Sequence, residues 1–94
     1  MADEIVAAVT VTADGAIAAN DGWYYGCRIT GDGTNSARVI LYDNASAASG
    51  TVVDELRCGA NESRGGMLEN PVRLQNGLYA DVTTVGRVVA WVQK

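Results

Sequence analysis

The stretch Ala37–Val53, ARVILYDNASAASGTVV, determines how the rest of the chain is interpreted. It starts with a strongly apolar run, VILY at 39–42, and ends with a β-branched run, TVV at 51–53. Small and polar residues at 43–50 separate the two runs. Two strand-forming runs joined by such a connection are typical of a β-hairpin, and we predict one here.

The remainder of the chain repeats this pattern of short extended segments and turns. Asp-Gly or Asn-Gly dipeptides at positions 14, 21, 32 and 76 separate strand-like runs, and those at 14 and 76 are of the type that closes tight hairpins. We predict an all-β protein, an antiparallel β-sandwich of jelly-roll or immunoglobulin-like Greek-key type with about seven or eight short strands. We predict that residues 1–4 form a short N-terminal arm and that residues 5–94 form a single domain. The predicted strands are Ile5–Thr12, Ala16–Ala19, Trp23–Thr30, Ser36–Tyr42, Gly50–Cys58, an irregular edge strand Glu62–Glu69 ended by the breaker Asn70-Pro71, a stub Val72–Leu74, Leu78–Thr83 and Arg87–Val92.

Composition and charge argue against several classes of function. The chain has 94 residues, 48% of them hydrophobic, which is enough to exclude general disorder. Its net charge is −4, with six Arg and one Lys scattered among eleven carboxylates. A nucleic-acid-binding protein usually has a basic face, so we expect no nucleic-acid partner. The first residues carry no basic signal-peptide region, and no apolar run is long enough to span a bilayer. We expect a protein made and folded in the cytoplasm, with no membrane partner.

The side chains needed for catalysis are sparse. The chain has no His, which removes the usual general base and the commonest zinc ligand. The loop GDGTNS at 31–36 lacks the Gly-Lys-Ser/Thr ending of a phosphate-binding loop. Asp54 and Glu55 are adjacent, so on a strand they point to opposite faces and do not form a catalytic pair. We expect no enzymatic activity, no cofactor and no metal site, and only a weak cation site at Asp32 or Asp43 is left open.

Two cysteines, Cys27 and Cys58, lie on separate predicted strands. They could face each other across the sandwich as an inter-sheet disulfide. In a reducing compartment they would be buried thiols that act as small hydrophobic side chains. We favour the thiols.

The strand Trp23–Thr30 contains the densest aromatic cluster, WYY at 23–25. Alternation places Trp23, Tyr25, Cys27 and Ile29 on one face, which we predict to be the core face. Tyr24, Arg28 and Thr30 then face outward, and Gly26 marks a bulge or a close backbone approach.

We predict that Tyr24, together with Arg28 and Arg38, forms a patch that faces a partner. Trp91 belongs either to the core or to the same kind of interface.

Several strands are apolar on both faces. Val39, Ile40 and Leu41 cannot all face one core, and the pairs at 52–53 and 88–89 show the same pattern. Exposed Val and Ala are common on β-strands, so this pattern has a trivial interpretation. We favour a covered outer face, and therefore a homo-oligomer or a docking surface that includes Ile40.

A succession of short motifs resembles the small β-sandwich structural proteins of tailed-bacteriophage virions. The motifs are WYYG at 23–26, VILYD at 39–43, SGTVV at 49–53 and NPVRLQNGLYADVT at 70–83. The likeness covers about 21–92, and its motifs mainly mark strands and turns. Such proteins occur as capsid decoration (cement) proteins and as head or neck accessories.

The resemblance implies a non-enzymatic protein that binds the assembled shell and stabilises it against the pressure of the packaged DNA. Its partners would be the major capsid protein and further copies of itself, often as a trimer, and it would lie on the capsid surface of the virion. Two alternatives remain open: a neck or tail component, and a carbohydrate-binding module with Trp23, Tyr24 and Trp91 as an exposed platform.

Overall fold

The computed structural model describes residues 6–93, in which the chain forms eight β-strands and no helix. The predicted arm at residues 1–4 lies outside this range, and so does Ile5, the predicted start of the first strand. The strands are β1 (Ala7–Val11), β2 (Gly15–Ala18), β3 (Gly22–Gly31), β4 (Ala37–Tyr42), β5 (Val52–Cys58), β6 (Ser63–Leu74), β7 (Leu78–Thr83) and β8 (Val85–Gln93).

The strands form two four-stranded antiparallel sheets that pack face to face. The β3 sheet has the order β1-β8-β3-β6, and the β4 sheet has the order β2-β7-β4-β5. This is the strand order of a jelly roll, a sandwich built from two Greek keys. The predicted all-β sandwich is therefore confirmed, and of the two predicted topologies the structure has the jelly roll.

One predicted hairpin is present and two are not. β4 pairs with β5, from Ala37 opposite Cys58 to Tyr42 opposite Val52, as the stretch 37–53 predicted. The prediction of tight hairpins at Asp14-Gly15 and Asn76-Gly77 is wrong, because the strands that flank each turn lie in different sheets. A turn dipeptide reverses the chain, but it does not decide whether the next strand pairs with the previous one or crosses to the facing sheet.

The core lies between the two sheets and consists mainly of alternate residues from the inner strands, with Cys58 and Leu74 contributed by the edge strands β5 and β6. On β4 the buried residues are Ala37, Val39 and Leu41, while Arg38, Ile40 and Tyr42 between them face outward. The fully buried large side chains are Tyr24, Ile29, Leu41, Leu74, Leu78, Val39, Val88 and Cys27. Small residues such as Ala80 and Ala90 complete the core, so large side chains are few and each one matters.

The segment with Gly65-Gly66 and Pro71 is one long edge strand, β6. The predicted edge position is confirmed, but the predicted break at Asn70-Pro71 is wrong because β6 continues to Leu74. Proline lacks an N–H and is tolerated on an edge strand, where that position needs no partner. The β3 pairing changes register here, since Val72 lies opposite Tyr24 and Met67 lies opposite Gly26.

Both cysteines are buried free thiols. Cys27 lies on β3 and Cys58 on β5, so they belong to facing sheets as predicted. The Cys58 thiol lies 3.4 Å from the carbonyl oxygen of Glu62, in the connection between β5 and β6. Of the two alternatives, the structure has the thiols.

Candidate protein-interaction surfaces

Tyr24 does not belong to any surface, because its side chain is fully buried. The prediction that Tyr24 faces outward while Trp23 and Tyr25 fill the core is wrong. β3 contains a bulge between Tyr24 and Gly26, where its register shifts against both β6 and β8. A bulge adds one residue and reverses the alternation beyond it. Cys27 and Ile29 are buried as predicted, but the residues before the bulge have the opposite orientation.

Gly26 makes this bulge possible. Its φ of +132° lies in a region that L-residues with a side chain rarely adopt. A Cβ atom at this position would also collide with the backbone carbonyl of Gly66 on β6. Both predictions for Gly26, a bulge and a close backbone approach, are confirmed.

The buried Tyr24 joins the two sheets through a polar contact. Its hydroxyl donates a hydrogen bond of 2.8 Å to Oδ2 of Asp54 on β5. Asp54 lies opposite Leu41, a core residue, and so shares its inward side. Burial raises the pKa of the Tyr24 phenol, and the nearby Cys27 and Asp54 raise it further. Burial also raises the pKa of the Cys27 thiol to about 11, against the smaller opposing effect of the Tyr24 hydroxyl.

The other four predicted interface residues lie on two opposite faces of the sandwich. Arg28 and Trp91 are on the outer face of the β3 sheet, Arg28 exposed and Trp91 half-buried. Arg38 and Ile40 are on the outer face of the β4 sheet and are half-buried. The predicted patch of Tyr24, Arg28 and Arg38 therefore does not form. That these four residues contact a partner remains a prediction.

Charged neighbours surround the outward-facing residues of β4. Arg38 lies 4.0 Å from the Glu55 carboxylate, which also accepts a hydrogen bond from Arg57. Ile40 lies between Glu55 and Asp81 in the sheet. Asp54 and Glu55 thus point to opposite faces, as predicted. These exposed ion pairs satisfy the charges locally and contribute little stability.

A group of four exposed apolar side chains lies along the β3–β6 pair at one edge of the sandwich, with Trp23 on the outer side of the sheet and Val72 on the side of Tyr24. We call it the β6 patch: Trp23, Met67, Leu68 and Val72. Met67 is 55% exposed, and the other three are each 37% exposed. In the described part of the chain the only further exposed large hydrophobic residue is Val52. The sequence does not predict this group, because the glycine pair and the proline make 62–74 look like an interrupted edge even though Met67, Leu68 and Val72 are present there.

Arg73 holds one end of the β6 patch in place. Its guanidinium lies 5.3 Å from the centre of the Trp23 ring, within the range of a cation–π contact. The same guanidinium donates a hydrogen bond of 2.7 Å to Asp21 Oδ2. Trp23 is therefore presented in a defined orientation even though it is partly exposed.

A cavity of about 480 Å³ lies beside β1 and β2 and extends to Asp21 and to Leu74 at the end of β6. Its walls are mainly apolar, with Val9, Ile17, Leu74 and Val92 among them. Asn20, Asp21 and Gln93 supply polar groups around it. Gln93 already accepts a hydrogen bond of 2.6 Å from the Tyr25 hydroxyl.

The open question of a cation site at Asp32 or Asp43 has a structural answer for each carboxylate. Asp32 Oδ1 accepts hydrogen bonds from the N–H groups of Thr34 and Asn35, both at 2.8 Å, and these bonds lower the pKa of Asp32. Asp43 accepts hydrogen bonds from the N–H groups of Gln75 and Asn76. Both carboxylates thus organise loops. No group of three or more His, Cys, Asp or Glu residues within 6–93 is placed to hold a metal ion.

No helix in the described residues is long and apolar enough to cross a membrane. Comparison with known proteins found no matching family model, no matching curated protein and no matching solved structure.

Proposed function

We propose that this chain is a non-enzymatic structural protein of a bacteriophage virion, a capsid decoration protein that binds the assembled shell through the β6 patch. Its partners would be the major capsid protein and further copies of itself, and it would lie on the capsid surface. The observation that carries this proposal is the β6 patch itself. Four of the five exposed large hydrophobic residues described in the chain lie on one strand pair.

The β6 patch has the composition of a protein-docking surface. Large apolar side chains exposed at one edge of a small protein often mark interaction sites. Tryptophan, methionine and arginine are enriched at interfaces, and Trp23, Met67 and Arg73 all lie on the β3–β6 pair, with Arg73 stacked on Trp23. Glu69 and Arg64 on the same strand are exposed and supply a polar rim.

The edge strand that carries the patch is protected against non-specific pairing. β6 contains Pro71, a register shift, the Gly65-Gly66 pair and three charged side chains. Such features discourage an edge from adding further strands. Recognition through β6 would therefore use its side chains. A structural protein that must bind one surface and remain dispersed otherwise needs this combination.

The fold supports the same proposal by analogy. Jelly rolls are used repeatedly by viral capsid proteins and by lectins. Fold alone does not define function, so the proposal rests on the patch and on the resemblance to phage decoration proteins.

The composition of virions tests the proposal directly. Mass spectrometry of virions purified from the phage that carries this gene should detect the chain at a copy number comparable to that of the major capsid protein. A dozen copies or fewer would place it in the neck or tail and overturn the capsid role. Its absence from purified virions would overturn the virion role altogether.

A pair of matched variants tests the surface. Met67→Asp should abolish sedimentation of the purified protein with capsids that lack it. Val52→Asp changes a residue of similar exposure, 53% against 55%, in the other sheet and should leave binding intact. Equal binding by both variants would overturn the assignment of the β6 patch.

Carbohydrate binding is the second candidate. Trp23 and Trp91 both lie on the outer side of the β3 sheet, and lectins also use jelly rolls. Tyr24 was expected to be part of this platform, but it is buried and cannot contact a carbohydrate. Quenching of tryptophan fluorescence by glycans, abolished in Trp23→Ala, would favour this function over the first.

A further inference from the structure

The four edge strands of the sandwich differ in how they are protected. β5 carries Asp54, Glu55 and Arg57, and β6 carries charges, Pro71 and a register shift. β5 and β6 lie on the same side of the molecule. On the other side, β1 has the sequence AAVTV and β2 has the sequence GAIA, with no charged residue and no proline in either. Unprotected edges of this kind pair readily with another strand.

β1 is the better template of the two. It pairs with β8 over five consecutive residues without a register shift, whereas β2 is shorter and its pairing is irregular. The N–H and C=O groups of β1 that point away from β8 have no partner among residues 6–93. Val9 and Val11 pack against the core, while Ala8 and Thr10 are exposed on the outer face. The strand is therefore regular in register and uncharged at the edge of the β3 sheet.

We propose that two copies of this chain associate through their β1 strands, which pair antiparallel about a two-fold axis near Val9. Such an interface uses the same surface twice and must be complementary to itself. Val9 would lie opposite Val9 of the second copy, and Ala8 opposite its Thr10. Because β1 is neutral, this arrangement brings no like charges together, although the chain as a whole carries a net charge of −4.

The pairing would join two β3 sheets into one continuous eight-stranded sheet. The unpaired backbone groups of β1 would gain partners in the same step, which is the basis of strand addition at sheet edges. Val9 also lines the cavity beside β1 and β2, so a second copy would extend one wall of that apolar cavity. The β6 patch lies on the opposite edge of the same sheet and stays accessible.

This inference names the surface for the self-association in the proposed function, and it rests on that part of the proposal. The proposed assembly is a two-fold symmetric dimer of this chain, whereas the resemblance to phage decoration proteins implies a trimer. Because β1 and β6 are opposite edges, the two proposals fail separately. Met67→Asp should remove capsid binding without changing self-association, and changes in β1 should do the reverse.

A charge-swap experiment tests the pairing. Thr10 is exposed and lies diagonally across the proposed two-fold axis from Thr10 of the second copy, so charges placed there are close enough to interact. Sedimentation equilibrium of the unmodified chain should show a mass that rises with concentration to that of two copies. Thr10→Lys alone and Thr10→Glu alone should each associate about tenfold more weakly or worse. An equal mixture of the two variants should recover the association.

Thr51→Lys is the matched control, because Thr51 is exposed and precedes β5 on the protected side. It makes the same change of charge and should leave the association unchanged. Hydrogen exchange supplies a second measurement, since amides in Ala7–Val11 should become protected as the pair forms. A monomer at every concentration, a trimer, or a mixture of variants that fails to recover association would overturn the proposal. Growth into open-ended aggregates in place of a closed pair would overturn it as well.

Discussion

Strands β3 and β4 hold equivalent positions, third in the order of their sheets, yet only one has regular alternation. β4 alternates between buried and outward-facing residues along its whole length. β3 alternates on both sides of the bulge at Gly26, but the residues before the bulge alternate in the opposite phase to those after it. The difference teaches that alternation assigns faces reliably only along an uninterrupted ladder. The bulge at Gly26 places Tyr24 in the core and turns Trp23 and Tyr25 outward, which is the reverse of the predicted arrangement.

The largest expected effect tests the regular strand. Leu41 on β4 is fully buried and Ile40 beside it faces outward. Leu41→Ala should lower the free energy of unfolding by roughly 2–5 kcal/mol, because it removes core contacts and leaves a cavity. Ile40→Ala should cost well under half as much. Urea denaturation of both variants measures the two values, and equal losses would contradict the alternation on β4.

The next effect tests the bulge in β3. Gly26→Ala should cost about 1–3 kcal/mol or more, because the backbone is in a region reserved for glycine and the new Cβ meets the β6 backbone. Gly15→Ala is the control, since a Cβ there has open space around it. Thermal denaturation should separate the two variants clearly. A Gly26→Ala variant as stable as the Gly15 variant would argue that the bulge does not need glycine.

Tyr24 and Tyr25 provide a smaller and more specific test of orientation. Each hydroxyl makes one hydrogen bond, Tyr24 to Asp54 between the sheets and Tyr25 to Gln93 within its own sheet. Tyr24→Phe should cost about 1–2 kcal/mol, since it removes a partly buried bond to a carboxylate. Tyr25→Phe should cost less, because its hydroxyl is nearer to solvent. A larger loss of stability for Tyr25→Phe than for Tyr24→Phe would contradict this orientation and would favour the simple alternation in which Tyr25 faces the core.

Much of the fold could be predicted from residue pattern, and the reasons for the failures are physical. The strand-like runs and turn dipeptides were sufficient for an all-β sandwich, the β4–β5 hairpin and the buried thiols. Sheet order was not predictable, because turns such as Asp14-Gly15 look alike whether the chain forms a hairpin or crosses to the other sheet. The orientation of Tyr24 depends on the backbone geometry of Gly26, because the bulge there reverses the alternation from which the faces of β3 were predicted.

The candidate surfaces were harder to predict than the fold. Arg28 and Arg38 are ten positions apart in sequence and look related, but their strands belong to different sheets. The β6 patch requires the pairing of Trp23 with Arg73, which are fifty positions apart. Such long-range pairing is set by topology, so local patterns carry no information about it. The neutral sequence of β1 was visible, but its meaning depends on β1 being an edge.

The smallest expected effect tests the half of β3 that follows the bulge. Burial raises the pKa of Cys27 from its usual 9.0 to about 11, so the folded chain holds the proton more tightly than the unfolded chain does. The stability that this group contributes is complete below pH 9 and is lost as the pH rises from 9 through 11. Between pH 7 and pH 9 the linked loss is only about 0.4 kcal/mol. Denaturation at several pH values should show a steeper decline for the unmodified chain than for Cys27→Ala, whatever the absolute stability of that variant. Parallel declines would mean that Cys27 titrates alike in both states and that the core at this end of β3 is open to water.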